Sequence, residues 1–417
     1  MDYNIKIRTF KDGERYCVLR GKDGQPILEV VHWVNSTLRS SSAMNTIKQA
    51  LIAIKSMFVH FDQVGIDLNE RLSKGNFLSR EETEALFQKV SLKLGAFNKV
   101  KEDYSKGVVD LAIARKKRRG HDRDDLLDKA AAGNRISTIT NFLSFYVQKF
   151  INSKDMADGL RLTLKEQKQD FLDYSKVIKP NTRISEKDAV LSIEKNDLQK
   201  VLNKVNKTSA ENPFQREATR VRNELIIKLL LHTGIRMGEL LNIEVKDIDF
   251  SKRTLSIIRK PNNLKDLRRN QPCVKTKERV LELDEVMLEA LGEYITRYRP
   301  LKAGARKHNF LIVSTLSGHP LSLNAIQKLF TKLRLSDPGI PKNLSAHKFR
   351  HTWNEHFSEL MDRHNVPEVE EAALRRVLQG WSITSNMPNT YLRRKTMKKA
   401  NAFFVKNSEE LSKMGKH

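Results

Sequence analysis

Three short stretches carry residue types that together could hold and attack a phosphate. The first is TGIRMGEL, where an apolar helix should stop at Gly234 and a second should start near Arg236. An arginine at such a turn sits beside free backbone N–H groups and a positive helix end, a place that suits a phosphate. A salt bridge to Glu239 or Glu244 would occupy it equally well. The second stretch is SAHKFRHTW. Ser345 can cap a helix on which His347 and Arg350 stand three residues apart on one face, with His351 able to share it. A polar helix face with a buried histidine is the plain alternative. A zinc pair is conceivable, but no further His, Cys or acid at ligand spacing completes one. The third stretch, LQGWSITSNMPNTYLRRKTMKK, runs from a helix end through a polar turn and a proline to Tyr391 and a dense positive run. Alone, Tyr391 would pack one face of a C-terminal helix.

The rest of the chain supplies the partner for such a site. Among 417 residues, Lys and Arg outnumber Asp and Glu by 76 to 50, a net charge of +26. A polyanion is the natural partner. Anionic membrane would satisfy the electrostatics, but no apolar run approaches a spanning helix and MDYNIKIRTF lacks the apolar core of a signal peptide. A soluble, cytoplasmic protein without membrane contact is expected. Cys17 and Cys273 are too few for a disulfide framework or a cysteine zinc site. Neither a metal nor another cofactor is expected.

The elements that must position these residues follow from periodicity. Residues 1–28 alternate as strands do, with Asp-Gly pairs at two turns, and predict a small β-ribbon. From about Val30 the period becomes helical: Ile47, Leu51, Ile54 and Phe58 recur at three- and four-residue steps. Ser79 with Glu82 reads as a capping box. The basic block ARKKRRGHDRDD reads as a solvated loop or, on this background, a phosphate-contacting one. A helical domain over 29–175, a linker over 176–190 and a larger mixed domain over 191–417 are expected. In the last, TLSIIRK, PCVKT and ERVLEL form a strand-rich island among helices. The expected fold class is mainly α with a small antiparallel β-sheet.

TGIRMGEL, a strand island with lysines, HKFRH, GW and a late tyrosine, in this order, resemble the catalytic domain of the tyrosine site-specific recombinases, the phage integrase family. The resemblance spans Leu191 to about Lys399. The helical domain before it is similar to that family's core DNA-binding domain, and residues 1–28, more loosely, to the arm-binding module of some integrases. The resemblance implies that Arg236 is the first catalytic arginine, His347 and Arg350 the HxxR pair, and Tyr391 the nucleophile. It implies a catalytic lysine in the strand island. Lys275 in VKTKER is the choice, with Lys277 and Lys260 as alternatives because the insertion PNNLKDLRRNQP blurs the register. Trp381 follows Gly380 where many members carry His. It stands 10 residues before Tyr391, one more than is usual in the family.

The chemistry gives these residue types a reason to meet. Two arginines can clamp the non-bridging oxygens of a phosphodiester as charge builds in the transition state. A tyrosine with a pKa near 10 is only about one part in a thousand ionised at pH 7. It therefore needs a base, for which His347 is the first choice, and a cationic neighbourhood. Lys275 would protonate the leaving 5′ oxygen, and Trp381 would pack on the tyrosine's helix or donate its N–H to the phosphate. Covalent capture as a 3′-phosphotyrosine conserves the bond, so strands rejoin without ATP.

The resemblance thus implies a DNA recombinase or integrase of a mobile element, acting on double-stranded DNA as a tetramer on two sites, with accessory DNA-bending or directionality proteins as further partners. A type IB topoisomerase or telomere resolvase would share the chemistry. A DNA-binding regulator without turnover is the non-enzymatic reading. His232 and His319 read as helix-end and turn residues. Phe403, Phe404 and Val405 need a surface to cover, on their own domain or, as the family does, on a neighbouring protomer.

Overall fold

The computed structural model describes residues 3–40, 42–93, 125–180, 192–268, 270–272, 274, 276–389, 391–392, 396, 400, 403–407 and 410. The chain forms two compact units, Met1–Lys187 and Asp188–His417. In the first, strands β1 (Asn4–Thr9) and β2 (Arg15–Arg20) pair antiparallel, Asn4 opposite Arg20 and Thr9 opposite Arg15. Tyr16, Cys17 and Leu19 enter the same apolar cluster as the helices that follow, so the ribbon shares their core. Those helices are α1 (Leu28–Trp33), α2 (Met44–Val64), α3 (Leu68–Ser73), α4 (Arg80–Val90), α5 (Lys129–Ile151) and α6 (Asp158–Ile178). Ile47, Leu51 and Ile54 of α2 are buried, as their spacing requires. Ser79 and Glu82 close the capping box of α4 in both directions. The last turn of α6 reaches into the first residues of the expected linker. Phe171 and Ser175 remain on the buried face of α6 and carry the helix to Ile178, past Tyr174. The ARKKRRGHDRDD block, all but its final Asp125, lies outside the described residues, as do positions 181–190 of the linker.

The second unit is helical around one small sheet. In order it holds α7 (Lys195–Val205), α8 (Glu217–Thr233), α9 (Met237–Asn242), strands β3 (Ile248–Asp249), β4 (Thr254–Ile257) and β5 (Arg279–Glu282), then α10 (Glu285–Glu293), α11 (Leu323–Ser336), α12 (Ala346–Arg363) and α13 (Glu368–Gln379). The strands form an antiparallel sheet in the order β3-β4-β5, Thr254 facing Glu282 and Ile257 facing Arg279. The core centres on α8, whose Leu225, Ile226, Leu229 and Leu230 pack in one cluster with Phe330 and Phe349. The architecture is mainly α with small antiparallel sheets, as the periodicity indicated.

One expected strand is absent. Of PCVKT, the described residues Pro272, Val274 and Thr276 stay off the ladder. Side chains of α9 capture this segment instead: Asn242 Nδ2 donates to the Pro272 carbonyl at 2.6 Å, and the Thr276 hydroxyl donates to Glu239. The insertion before it folds onto the unit. Arg268 pairs with Asp266, donates to the carbonyls of Leu241 and Leu321 at 3.0 Å each, and lies 4.6 Å from the centre of the Phe310 ring. Among the described residues no helix is long and apolar enough to cross a membrane, and no group of His, Cys, Asp or Glu could hold a metal ion.

Candidate active site

The site is built where two helices end and one begins. α8 stops at Gly234, whose φ of +62° is left-handed. A Cβ there would also lie 2.8 Å from the Trp353 ring, so glycine is required on two counts. The chain turns at once into α9 with Arg236 as its first flanking residue, in extended conformation. α13 likewise ends at Gly380, with φ +62°.

The carbonyls left open at these helix ends face arginines. Arg350, buried on α12, donates from Nη1 to Gly234 O at 2.7 Å and from Nη2 to Gln379 O at 3.4 Å. Arg279 of β5 donates from Nε to Leu378 O at 2.7 Å. The negative ends of α8 and α13 therefore hold the cations in place. The Lys277 N–H donates to Gly380 O at 2.8 Å and ties the lysine-bearing segment to the same point.

Arg236 approaches this cluster from α9. Glu239, fully buried, accepts from the Arg236 backbone N–H at 3.0 Å, from Arg279 Nη2 at 2.8 Å and from Thr276. Burial alone would raise the Glu239 carboxyl, but the charge and hydrogen bond of Arg279, with those of Thr276 and the Arg236 N–H, hold it below the ordinary range. The Arg236 side chain is 34% exposed, and its Nη1, 3.5 Å from Glu239 Oε1, makes no hydrogen bond among the described residues. The salt bridge weighed against a phosphate role thus exists with Glu239 and leaves donors over. Burial and the like charge of Arg236 push the Arg350 guanidinium down to about 9, still a cation at neutral pH. Partial burial and the charges of Arg350 and Arg236 also lower His347, whose residue stays open to solvent. Crowded cations of this kind make an anion site.

Tyr391 completes the constellation. It lies in helical backbone after Pro388, with 6% of its surface exposed. The Trp381 ring stacks on it at 6.0 Å and 12°, and Arg350 lies 5.5 Å from the Trp381 ring centre. Trp381 is buried, and its Nε1 has no hydrogen-bond partner among the described residues. The Tyr391 hydroxyl meets His351 Nδ1 at 3.1 Å. The sequence named His347 as the tyrosine's base. In the structure the ring at the hydroxyl is instead that of His351, one turn further along α12. His347 and His351 stand edge to face, ring centres 4.4 Å apart.

Sequence reasoning missed other members. Arg375 and Glu371, both fully buried on α13, form an ion pair. Arg375 donates to Asn354 O and Oδ1 at 2.8 Å each and to Ser358 Oγ at 2.7 Å, and its guanidinium lies 5.3 Å from the Tyr391 ring centre. The one signal available was a Glu and an Arg four apart beside Ala372, in a helix otherwise amphipathic. Ser345, expected as a side-chain cap, flanks α12 without a capping hydrogen bond. Lys275 lies outside the described residues. Lys260 is ion-paired to Asp247 and to Glu244, the latter at 3.3 Å, and Lys277 is exposed.

Residues 192–369 match the phage integrase family, a span that includes Arg236, His347 and Arg350 and ends before Trp381 and Tyr391. The chain is 29% identical over 136 residues to tyrosine recombinase XerC of Staphylococcus haemolyticus, and 29% over 149 residues to tyrosine recombinase XerD of Staphylococcus saprophyticus. These matches span 33% and 36% of this chain and only 40% and 45% of those proteins. The fold is similar to that of the Tn1549 transposon integrase in complex with circular intermediate DNA. The TM-score is 0.50 at 15% identity, over 87% of this chain and 94% of that one. By this match and these relatives, residues 192–369 of the second unit are a domain of the phage integrase family, the tyrosine site-specific recombinases.

Proposed function

We propose that the chain is a site-specific DNA recombinase that cleaves and rejoins strands through a 3′-phosphotyrosine at Tyr391. One observation carries the reading: the cations of Arg236 and Arg350 and the rings of His347, Trp381 and Tyr391, far apart in sequence, converge at the ends of α8 and α13. Crowded cations favour an anion, and the unengaged donors of Arg236 suit a non-bridging phosphate oxygen. Arg350 is oriented by helix-end carbonyls and adds charge more than reach. Glu239 positions Arg236. Lys275 would protonate the leaving 5′ oxygen, and the ion pairs that Lys260 makes with Asp247 and Glu244 favour Lys275 over it. The excess of +26 suits DNA, the molecule with which the Tn1549 integrase is in complex. Integration or excision of a mobile element by a tetramer on two sites is the biological setting proposed, with residues 29–175 as the DNA-gripping part.

The test is a nicked suicide duplex bearing a site that the protein itself selects from a random pool. The wild-type chain should form a covalent protein–DNA adduct. Tyr391→Phe should abolish it while binding stays within about twofold, since one buried hydroxyl contributes little to a phosphate-dominated affinity. An adduct persisting in Tyr391→Phe would overturn the assignment of the nucleophile.

A further inference from the structure

The phenol proton of Tyr391 has a destination other than His347. Its hydroxyl lies 3.1 Å from His351 Nδ1, within the reach required of a general base, with the two rings 5.6 Å apart. Trp381 stacks on the ring and Arg375 stands 5.3 Å from its centre, contacts that favour this orientation. Arg375 is itself fixed by Glu371, Asn354 and Ser358. His347 belongs to the arginine side, where the charges of Arg350 and Arg236 bear on it.

We propose that His351 accepts the proton of Tyr391 during attack, while His347 serves the phosphate with Arg236 and Arg350. This rests on the reading of Tyr391 as nucleophile. In the step, the Tyr391 Oη–P bond forms as the P–O5′ bond breaks. The phenol proton passes to His351 Nδ1, and the departing 5′ oxygen takes a proton from a lysine, for which Lys275 stands first. On religation the 5′ hydroxyl attacks phosphorus and gives its proton back to that lysine, the P–Oη bond breaks, and the His351 imidazolium returns its proton to the tyrosine.

The experiment is single-turnover adduct formation on the nicked duplex by the full chain. His351→Ala and His351→Asn are compared, because the asparagine amide can hydrogen-bond from about the Nδ1 position but takes no proton. Both variants should melt and bind DNA as the wild type does and form adduct at least about 10²-fold more slowly, the size of a lost general base. Placing a fluorinated tyrosine of lower phenol pKa at position 391 in the His351→Asn chain should restore a large part of the rate, which a packing defect would not permit. An unchanged or faster rate in His351→Asn overturns the inference, and so does a slow rate that the fluorinated residue fails to restore. If the wild type forms no adduct, or Tyr391→Phe still forms one, it is the nucleophile assignment that fails.

Discussion

At the scale of single residues, Glu239 is a tightly committed group of the site. Its carboxylate is the sole counter-charge that Arg279 meets in an ion pair among the described residues, and it also accepts from Thr276 and the Arg236 backbone. Because Arg279 and these donors hold its pKa below that of an unfolded glutamate, its contribution to stability is full above the unfolded value, about 4.5. That contribution is lost as pH falls through the lower folded value. Glu239→Gln should therefore flatten the acid limb of a stability-versus-pH curve, read by urea unfolding from pH 3 to 7. Glu239→Ala strands Arg279 in the interior and should cost about 3–5 kcal/mol at neutral pH. Trp381 allows a cleaner separation. Its N–H is buried while its ring stacks on Tyr391, so packing is the role this arrangement supports. Trp381→Phe should keep adduct formation within about threefold, whereas Trp381→Ala, losing the stacked face, should slow it at least about tenfold, in line with an aromatic pair of about 0.5–1.5 kcal/mol plus its lost burial. Equal losses in both variants would return the role to the N–H.

At the scale of elements, the helix ends govern the site. Gly234 sets the exit of α8, and its carbonyl orients Arg350. Gly234→Ala meets a left-handed backbone, costing about 1–2 kcal/mol, and a Cβ contact with Trp353 at 2.8 Å adds to it. A lowered melting temperature with a loss of adduct larger than the loss of binding is expected, and an alanine variant that cleaves normally would show that this turn does not position Arg350. Gly234 as a stop and Arg236 as a helix start were both legible, because caps are written locally in sequence. The HKFRH spacing placed His347 and Arg350 on one helix for the same reason. What was not legible depends on contacts between distant segments. PCVKT has strand character, yet Asn242 and Glu239 of α9 hold Pro272 and Thr276 away from the ladder. His351 could share the face of His347 by period alone, but which of them meets Tyr391, 40 residues beyond His351, is decided by the turn after Gly380. Arg375 reads as a surface charge until α12 closes over it.

At the scale of the whole molecule, the +26 charge has to be located before it explains anything. The first unit offers one place: a cleft of about 500 Å³ at the end of α5 and the start of α6, lined by Gln148, Asn152, Ser153, Lys154, Arg161 and Lys165. Arg161 is partly spent on the carbonyls of Ser153 and Met156, while Lys154 and Lys165 stand exposed. Should the cleft seat a DNA phosphate, each lysine that neutralises one contributes about 0.9 to the slope of log K against log salt. A chain making about six to ten phosphate contacts should lose about 10³–10⁵ in affinity between 50 and 200 mM salt. In an anisotropy series, the double variant Lys154→Gln, Lys165→Gln should then shorten the slope by about two units, with weakening of similar size on every duplex, since phosphate contacts carry no sequence information. A wild-type slope in that variant would put the DNA path elsewhere on the first unit. A shallow slope in the wild type itself would mean that the excess charge does not serve the polyanion at all.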